Sequence, residues 1–158
     1  MTTEVHLSDQ LSTTLQRARE ICVQGEVRLT EKRENVLSAL VQSQQAMSAY
    51  ELAEKYRALF DQSIPAMSVY RILDFLAEMS LVHKLSSANK YIACSHISCC
   101  DEHKIPQFLI CETCNSVTEI AVKSSVITEL TESVAKTGFT LANEQLELTG
   151  FCKKCQKS

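Results

Sequence analysis

Eight cysteines stand in the 158 residues of this chain, and four of them form two pairs of identical spacing, Cys111-Glu112-Thr113-Cys114 and Cys152-Lys153-Lys154-Cys155. A Cys-x-x-Cys turn suits either a reactive dithiol or half of a metal site. Two such pairs supply four thiolates, the ligand set of a tetrahedral zinc ion with Zn–S distances of about 2.3 Å. A redox dithiol needs only one pair, usually at a helix start that lowers a thiol pKa. Here the first pair follows the apolar, strand-like run Phe108-Leu109-Ile110, and 37 residues separate it from the second. That gap exceeds the roughly 15–20 residues of a compact zinc ribbon. It fits a strand, a helix and a strand, so a metal would staple the far end of a lobe to its start. The pattern favours structural zinc at Cys111, Cys114, Cys152 and Cys155, with a thiol redox protein as the alternative.

A second group of ligand types is less regular: His83, Cys94, His96, Cys99, Cys100, Asp101, Glu102 and His103, with Glu119 beyond the first thiol pair. Mixed nitrogen, sulfur and oxygen donors suit zinc or a neighbouring transition metal. Taken singly, His83 reads as a satisfied core histidine, Cys94 as a small buried hydrophobe and Glu119 as a solvated strand residue. Their density makes the group, not any one member, a candidate site. Cys22 falls on an apolar helix stripe and reads as core. Hydrolytic zinc chemistry finds no support, since neither His-Glu-x-x-His nor the deaminase arrangement of His-x-Glu with Pro-Cys-x-x-Cys occurs. The chain is not expected to be an enzyme.

These residues need elements to position them. Leu11, Leu15, Ala18 and Cys22 recur at helical spacing, with Gly25 placed to end that helix. Thr30 can cap a second helix carrying Val36, Leu37, Leu40 and Val41. Ser48-x-x-Glu51 is a capping box for a third helix with the stripe Leu52, Tyr56 and Leu59, and Met47 can staple onto Leu52. Pro65 opens a fourth, through about Met79. On that helix Val69, Ile72, Leu73 and Leu76 share one side, while Met67, Tyr70, Arg71, Asp74 and Glu78 share the other. Two short strands follow, Leu81–Leu85 and Tyr91–Cys94. Helices followed by a β-hairpin read as a winged helix-turn-helix with the fourth helix in the recognition position. Residues 95–104 read as a hinge. Beyond them Gln107–Cys111 and Ser116–Ala121 read as strands, and Val126–Lys136 as a helix that Gly138 can cap. Phe139–Leu141 and Gln145–Leu148 read as further strands. The fold class is therefore α+β.

Composition sets the limits. The net charge is −3, and dividing the chain after Ser86 gives nine Lys and Arg against eleven Asp and Glu, then seven against eight. Neither part is basic, so any positive charge that meets nucleic acid must be local. The start Met1-Thr2-Thr3-Glu4-Val5-His6 lacks the cationic flank and apolar stretch of a secretion signal, and no apolar run approaches the roughly 18–20 residues of a membrane span. A cytoplasmic protein with reduced thiols is expected, without a membrane or a small-molecule substrate as partner.

The stretches VRLTEKRENVL (27–37), SAYEL (48–52), SVYRILDFLAEMSLVHKL (68–85), YIAC (91–94), FLICETCNSVTEI (108–120) and GFCKKC (150–155) together resemble the ferric-uptake-regulator (Fur) superfamily, most closely its zinc-sensing branch, the zinc uptake regulators (Zur). The likeness spans about residues 13–155. It implies a homodimer with a winged-helix DNA-binding domain at 1–94, a hinge with metal ligands at 95–104, and a dimerisation and metal-binding domain at 105–158. Position by position, Cys111, Cys114, Cys152 and Cys155 match the family's structural zinc site. His83, Cys94, His103 and Glu119 match its sensory site, for which His96, Cys99 and Cys100 are alternative ligands or the makings of a third. Tyr70 and Arg71 match residues that meet operator DNA, and Arg28 matches a supporting basic position. The implied function is a zinc-responsive repressor of zinc uptake genes, with two zinc ions per subunit, one structural and one acting as corepressor at a palindromic operator. Iron or peroxide sensing of the Fur type is the nearest alternative. A thiolate at Cys94 speaks for zinc, because soft ligands select it over ferrous iron. A zinc-stabilised protein-binding adaptor is the alternative from a different class.

Overall fold

The computed structural model describes residues 2–98 and 106–156, and side chains from Ser8 onward. The chain divides into two compact units, Met1–Asp101 and Glu102–Ser158. No helix among the described residues is long and apolar enough to cross a membrane.

The first unit is a winged helix-turn-helix. It holds α1 (Thr2–Gln24), α2 (Glu31–Ser43), α3 (Ala49–Phe60), α4 (Ala66–Glu78) and an antiparallel hairpin of β1 (Val82–Leu85) and β2 (Lys90–Ala93). α2 is its centre, touching α1, α3, α4 and β2, and its residues Val36, Leu37, Ser38, Ala39 and Leu40 are all buried. Ala18 and Cys22 of α1, Leu52 and Tyr56 of α3, and Val69, Leu73 and Leu76 of α4 close around them.

The helix ends show where local chemistry set the fold and where packing did. Ser48 Oγ accepts from Glu51 N at 3.2 Å and Glu51 Oε2 accepts from Ser48 N at 2.7 Å, so the capping box forms as expected. Pro65 stands one place earlier than expected, at the N-cap of α4, where its carbonyl accepts from Ser68 and Val69. Thr30 is the N-cap of α2, yet its side chain makes no capping bond. Gly25 does not supply the left-handed residue after α1; Glu26 does, at φ 56°. Gly25 is needed for space instead, because a Cβ there would lie 2.7 Å from Met79 Cε. On α3 the stripe runs to Phe60, 5.0 Å from the Tyr56 ring, while Leu59 is 42% exposed. Ala49 and Ala53 also face inward, which centres the buried face away from Leu59.

Met47 and Tyr91 exchange both backbone hydrogen bonds, at 2.9 and 2.8 Å. This bridge adds a third short edge to the hairpin. Lys90 Nζ donates to Glu51 Oε1 at 3.2 Å beside it, so the wing is tied to the start of α3.

The second unit is a three-stranded sheet with one helix: β3 (Gln107–Cys111), β4 (Val117–Ile120), α5 (Ser124–Ala135) and β5 (Glu147–Gly150), in the order β4-β3-β5. β3 runs antiparallel to β4 and parallel to β5, with α5 in the crossover that a parallel pair requires. The C-cap of α5 is Lys136, not Gly138 as expected; Gly138 stands two residues further on at φ 78°, its N–H on the Ala135 carbonyl, and turns the chain away. Phe139–Leu141 forms no strand, and Phe139 is 66% exposed. The last strand begins two residues later than expected because the buried Gln107 side chain takes over the pairing before it: its Nε2 donates to Glu144 O at 2.9 Å and its Oε1 accepts from Leu146 N. The register then sets Cys111 opposite Gly150.

Candidate functional site

Two tight turns bring the four paired cysteines together. Cys111 ends β3, and its carbonyl accepts from Asn115, which has φ 56°. Glu112 N donates to Gly150 O at 2.9 Å, so β5 delivers the second turn directly onto the first. There Cys155 N and Gln156 N both donate to the Cys152 carbonyl at 2.9 Å. The sulfurs of Cys111, Cys114, Cys152 and Cys155 all lie within 4.8 Å of one another. The Cys114 and Cys152 sulfurs are 3.7 Å apart, far beyond a disulfide bond of about 2.05 Å. That spacing matches the edge of about 3.8 Å that a tetrahedron with 2.3 Å Zn–S bonds requires.

The protonation of the cluster points the same way. Backbone N–H groups of Cys152 and then Cys114 hold the Cys111 thiol down to about 6, the first of them donating to its sulfur at 3.4 Å. The Ser116 hydroxyl, 3.2 Å from the Cys114 sulfur, and then the Ser116 backbone lower the Cys114 thiol. Cys155 is pushed up to about 12 by its sulfur neighbours, Cys152 first. Four thiols this close cannot all ionise alone, and a divalent cation removes that conflict. A lowered thiol also suits a redox pair, but such a pair has no use for two further sulfurs.

Of the second ligand group, two members lie in the first unit. His83 is half-buried on β1 opposite Ile92, and Cys94, just past β2, donates its N–H to the Leu81 carbonyl at 2.9 Å. This ladder puts Cys94 diagonal to His83 on one side of the hairpin, with a His83 ring nitrogen and the Cys94 sulfur within 4.8 Å. In the second unit Glu119 is half-buried on β4, opposite Phe108. His96 shares a 3.2 Å hydrogen bond between its Nδ1 and Ser95 Oγ and joins no ligand cluster among the described residues. His103, Cys99 and Cys100 lie outside the described residues.

On the helix-turn-helix, Arg28 before α2 and Arg71 on α4 are exposed, and Tyr70 is half-buried. The Tyr70 ring meets Tyr50 edge-on, with centroids 6.3 Å apart. Tyr50 is 66% exposed at the start of α3. Sequence reasoning does not single it out, although an aromatic ring beside a capping box and off the buried stripe is the available signal. Tyr50, Tyr70 and Arg71 offer stacking surface and a guanidinium fork, the groups that contact base edges and backbone.

The sequence profile of the ferric uptake regulator family matches residues 24–149. The chain belongs to this family. Among relatives, the zinc uptake regulation protein of Escherichia coli (strain K12) is 37% identical over 142 residues, covering 89% of this chain and 80% of that protein. The ferric uptake regulation protein of Helicobacter pylori (strain ATCC 700392 / 26695) is 27% identical over 153 residues, covering 95% and 96%. Among solved structures, a zinc uptake regulator complexed with zinc and DNA is similar with a TM-score of 0.79 and 34% identity, over 91% of this chain and 93% of that one. Holo XcZur follows with 0.73 and 32%, over 89% and 94%.

Proposed function

We propose that this member of the ferric uptake regulator family is a zinc-responsive transcriptional repressor in which zinc acts as corepressor. The observation that carries the reading is the likeness, over nine-tenths of the chain, to a regulator solved with both zinc and DNA. Cys111, Cys114, Cys152 and Cys155 hold a structural zinc ion, and their donor set and spacing fit it. His83, Cys94, His103 and Glu119 hold a second, regulatory zinc ion, with the Cys94 thiolate selecting zinc over iron. Each subunit thus takes two. Zinc supplies no reaction step here; it is a cross-link between ligands far apart in sequence.

The protein works as a homodimer. Leu109 and Leu148 pair in register on one sheet face and are 40% and 49% exposed, and Val126 of α5 is 49% exposed. A second copy covers such a surface by two-fold symmetry, and a palindromic operator mirrors it with half-sites about 34–36 Å apart. Regulatory zinc then shifts a flexible population towards the DNA-competent one, and linkage makes DNA tighten zinc binding by the same factor. Arg71 reads a base edge, Tyr70 and Tyr50 line the same groove, and Arg28 supports them on phosphate.

A gel shift on AT-rich palindromic duplex tests this. Wild type should bind with zinc and release on mild chelation. Cys94→Ser should remain a dimer with one zinc per chain and lose zinc-dependent binding. No binding with or without zinc would return the chain to the adaptor class, and binding that ignores zinc in both proteins would remove zinc as corepressor.

A further inference from the structure

Arg33 belongs to none of the sites above. It is the third residue of α2 and half-buried. Its guanidinium nevertheless holds two elements at once. Nη1 donates to the Arg28 carbonyl at 2.8 Å, and Cζ lies 3.6 Å from the centroid of the Phe75 ring on α4. Gly25 to Val27 turn back onto the end of α1 through backbone bonds, but residues 28–30 lie outside helix and strand and the Thr30 side chain adds no capping bond. The backbone that carries Arg28 is thus pinned by a side chain that itself rests on the helix carrying Arg71.

The geometry points to Arg33 as a positioning residue for DNA recognition: it fixes the backbone of Arg28 relative to α4, so that the exposed guanidiniums of Arg28 and Arg71 meet the duplex in a set relation. The inference rests on the DNA-binding reading above. Arginine is required by shape. Its planar fork can stack on a ring face while an edge N–H reaches a carbonyl, whereas a lysine ammonium is a point charge that can satisfy one partner but not both. Phe75 supplies the flat face, which explains a half-buried aromatic on the flank of a recognition helix.

A merely structural Arg33 would lower stability and affinity together. A positioning Arg33 acts through Arg28, so its loss should be invisible once Arg28 is gone. The zinc-loaded full chain is first used to select a duplex from a random library. Affinity for that duplex is then measured against salt for wild type, Arg33→Lys, Phe75→Leu, Arg28→Ala and the Arg28→Ala/Arg33→Lys double variant, with melting temperature and zinc content alongside. Arg33→Lys and Arg28→Ala should each weaken binding about tenfold and reduce the salt slope by about one. The double variant should be within about twofold of Arg28→Ala, as coupled neighbours require. Phe75→Leu keeps apolar volume without the ring face and should reproduce the Arg33→Lys slope, which keeps the test open if Arg33→Lys folds poorly. Additive losses, an unchanged slope in Arg33→Lys and Phe75→Leu, or wild-type binding by Arg28→Ala would overturn the inference. Failure of the wild-type chain to select any duplex would instead remove the DNA-binding reading beneath it.

Discussion

In the first unit α2 is buried along five consecutive residues, Val36 to Leu40, whereas α5 of the second unit has no buried residue at all. The first unit closes Leu37, Leu40, Leu52, Tyr56, Leu73 and Leu76 into one core, and each such side chain contributes about 1.5–3 kcal/mol by leaving water. Among the described residues of the second, full burial is confined to β3, at Gln107, Phe108, Ile110 and Cys111. A lobe of that size cannot rest on its core alone, and small domains in this position depend on metal or on a partner. The four-thiol cluster sits where β3 and the segment after β5 meet, so it closes the three-stranded sheet at that end. One unit is held by hydrophobic packing; for the other, the proposed zinc ion at its rim supplies the hold.

The strongest way to break this contrast is to remove a thiol. Structural zinc contributes about 10–16 kcal/mol to the folding of small metal-held domains. Cys111→Ser should therefore unfold the second unit, while the helices of the first keep their amide-exchange protection. Equal loss of protection in both units would erase the distinction. A smaller effect separates recognition from stability. Arg71→Ala removes an exposed side chain and should cost about 1–3 kcal/mol on the operator, relaxing preference at one position, with the melting temperature unchanged. Uniform weakening across all sequences would assign Arg71 to phosphate.

The smallest effect lies within the first unit. The Ser48 backbone N–H, followed by Lys90, holds the Glu51 carboxyl below the ordinary range. Because the folded value lies below the unfolded one, about 4.3, the stabilisation is fully present above that pH and is lost as pH falls through the folded value. Glu51→Gln should cost about 0.5–1 kcal/mol at neutral pH, the carboxylate being partly exposed. Urea midpoints at pH 7 and pH 3 should differ less in the variant than in the wild type.

What the sequence made legible was local or periodic. The Ser48–Glu51 box, the bounds of β3 and the paired thiols each need only residues close together in the chain. Elements set by distant contacts were not legible. Gly25 is glycine because of Met79, a residue 54 positions away. The Met47–Tyr91 bridge is a long-range backbone pair that no local signal at Met47 announces. The start of β5 depends on the Gln107 side chain, and Phe60 replaces Leu59 because the centre of a buried face shifts with its neighbours. In the site the same rule holds: the Cys-x-x-Cys pairs announce themselves, while Tyr50 carries only the weak signal of an aromatic off the buried stripe and gains a place through its contact with Tyr70. Arg33 likewise acquires a role only once Phe75 is folded against it.

The central claim is that two zinc sites do two jobs. It is tested most directly by metal content per chain measured after mild and then exhaustive chelation, with DNA binding and circular dichroism recorded at each stage. The account predicts that mild chelation removes one zinc per chain and abolishes DNA binding with the fold intact, and that exhaustive chelation removes the second and unfolds the lobe of β3, β4, α5 and β5. Loss of both ions in one step together with the fold, or DNA binding that survives the first, would contradict it.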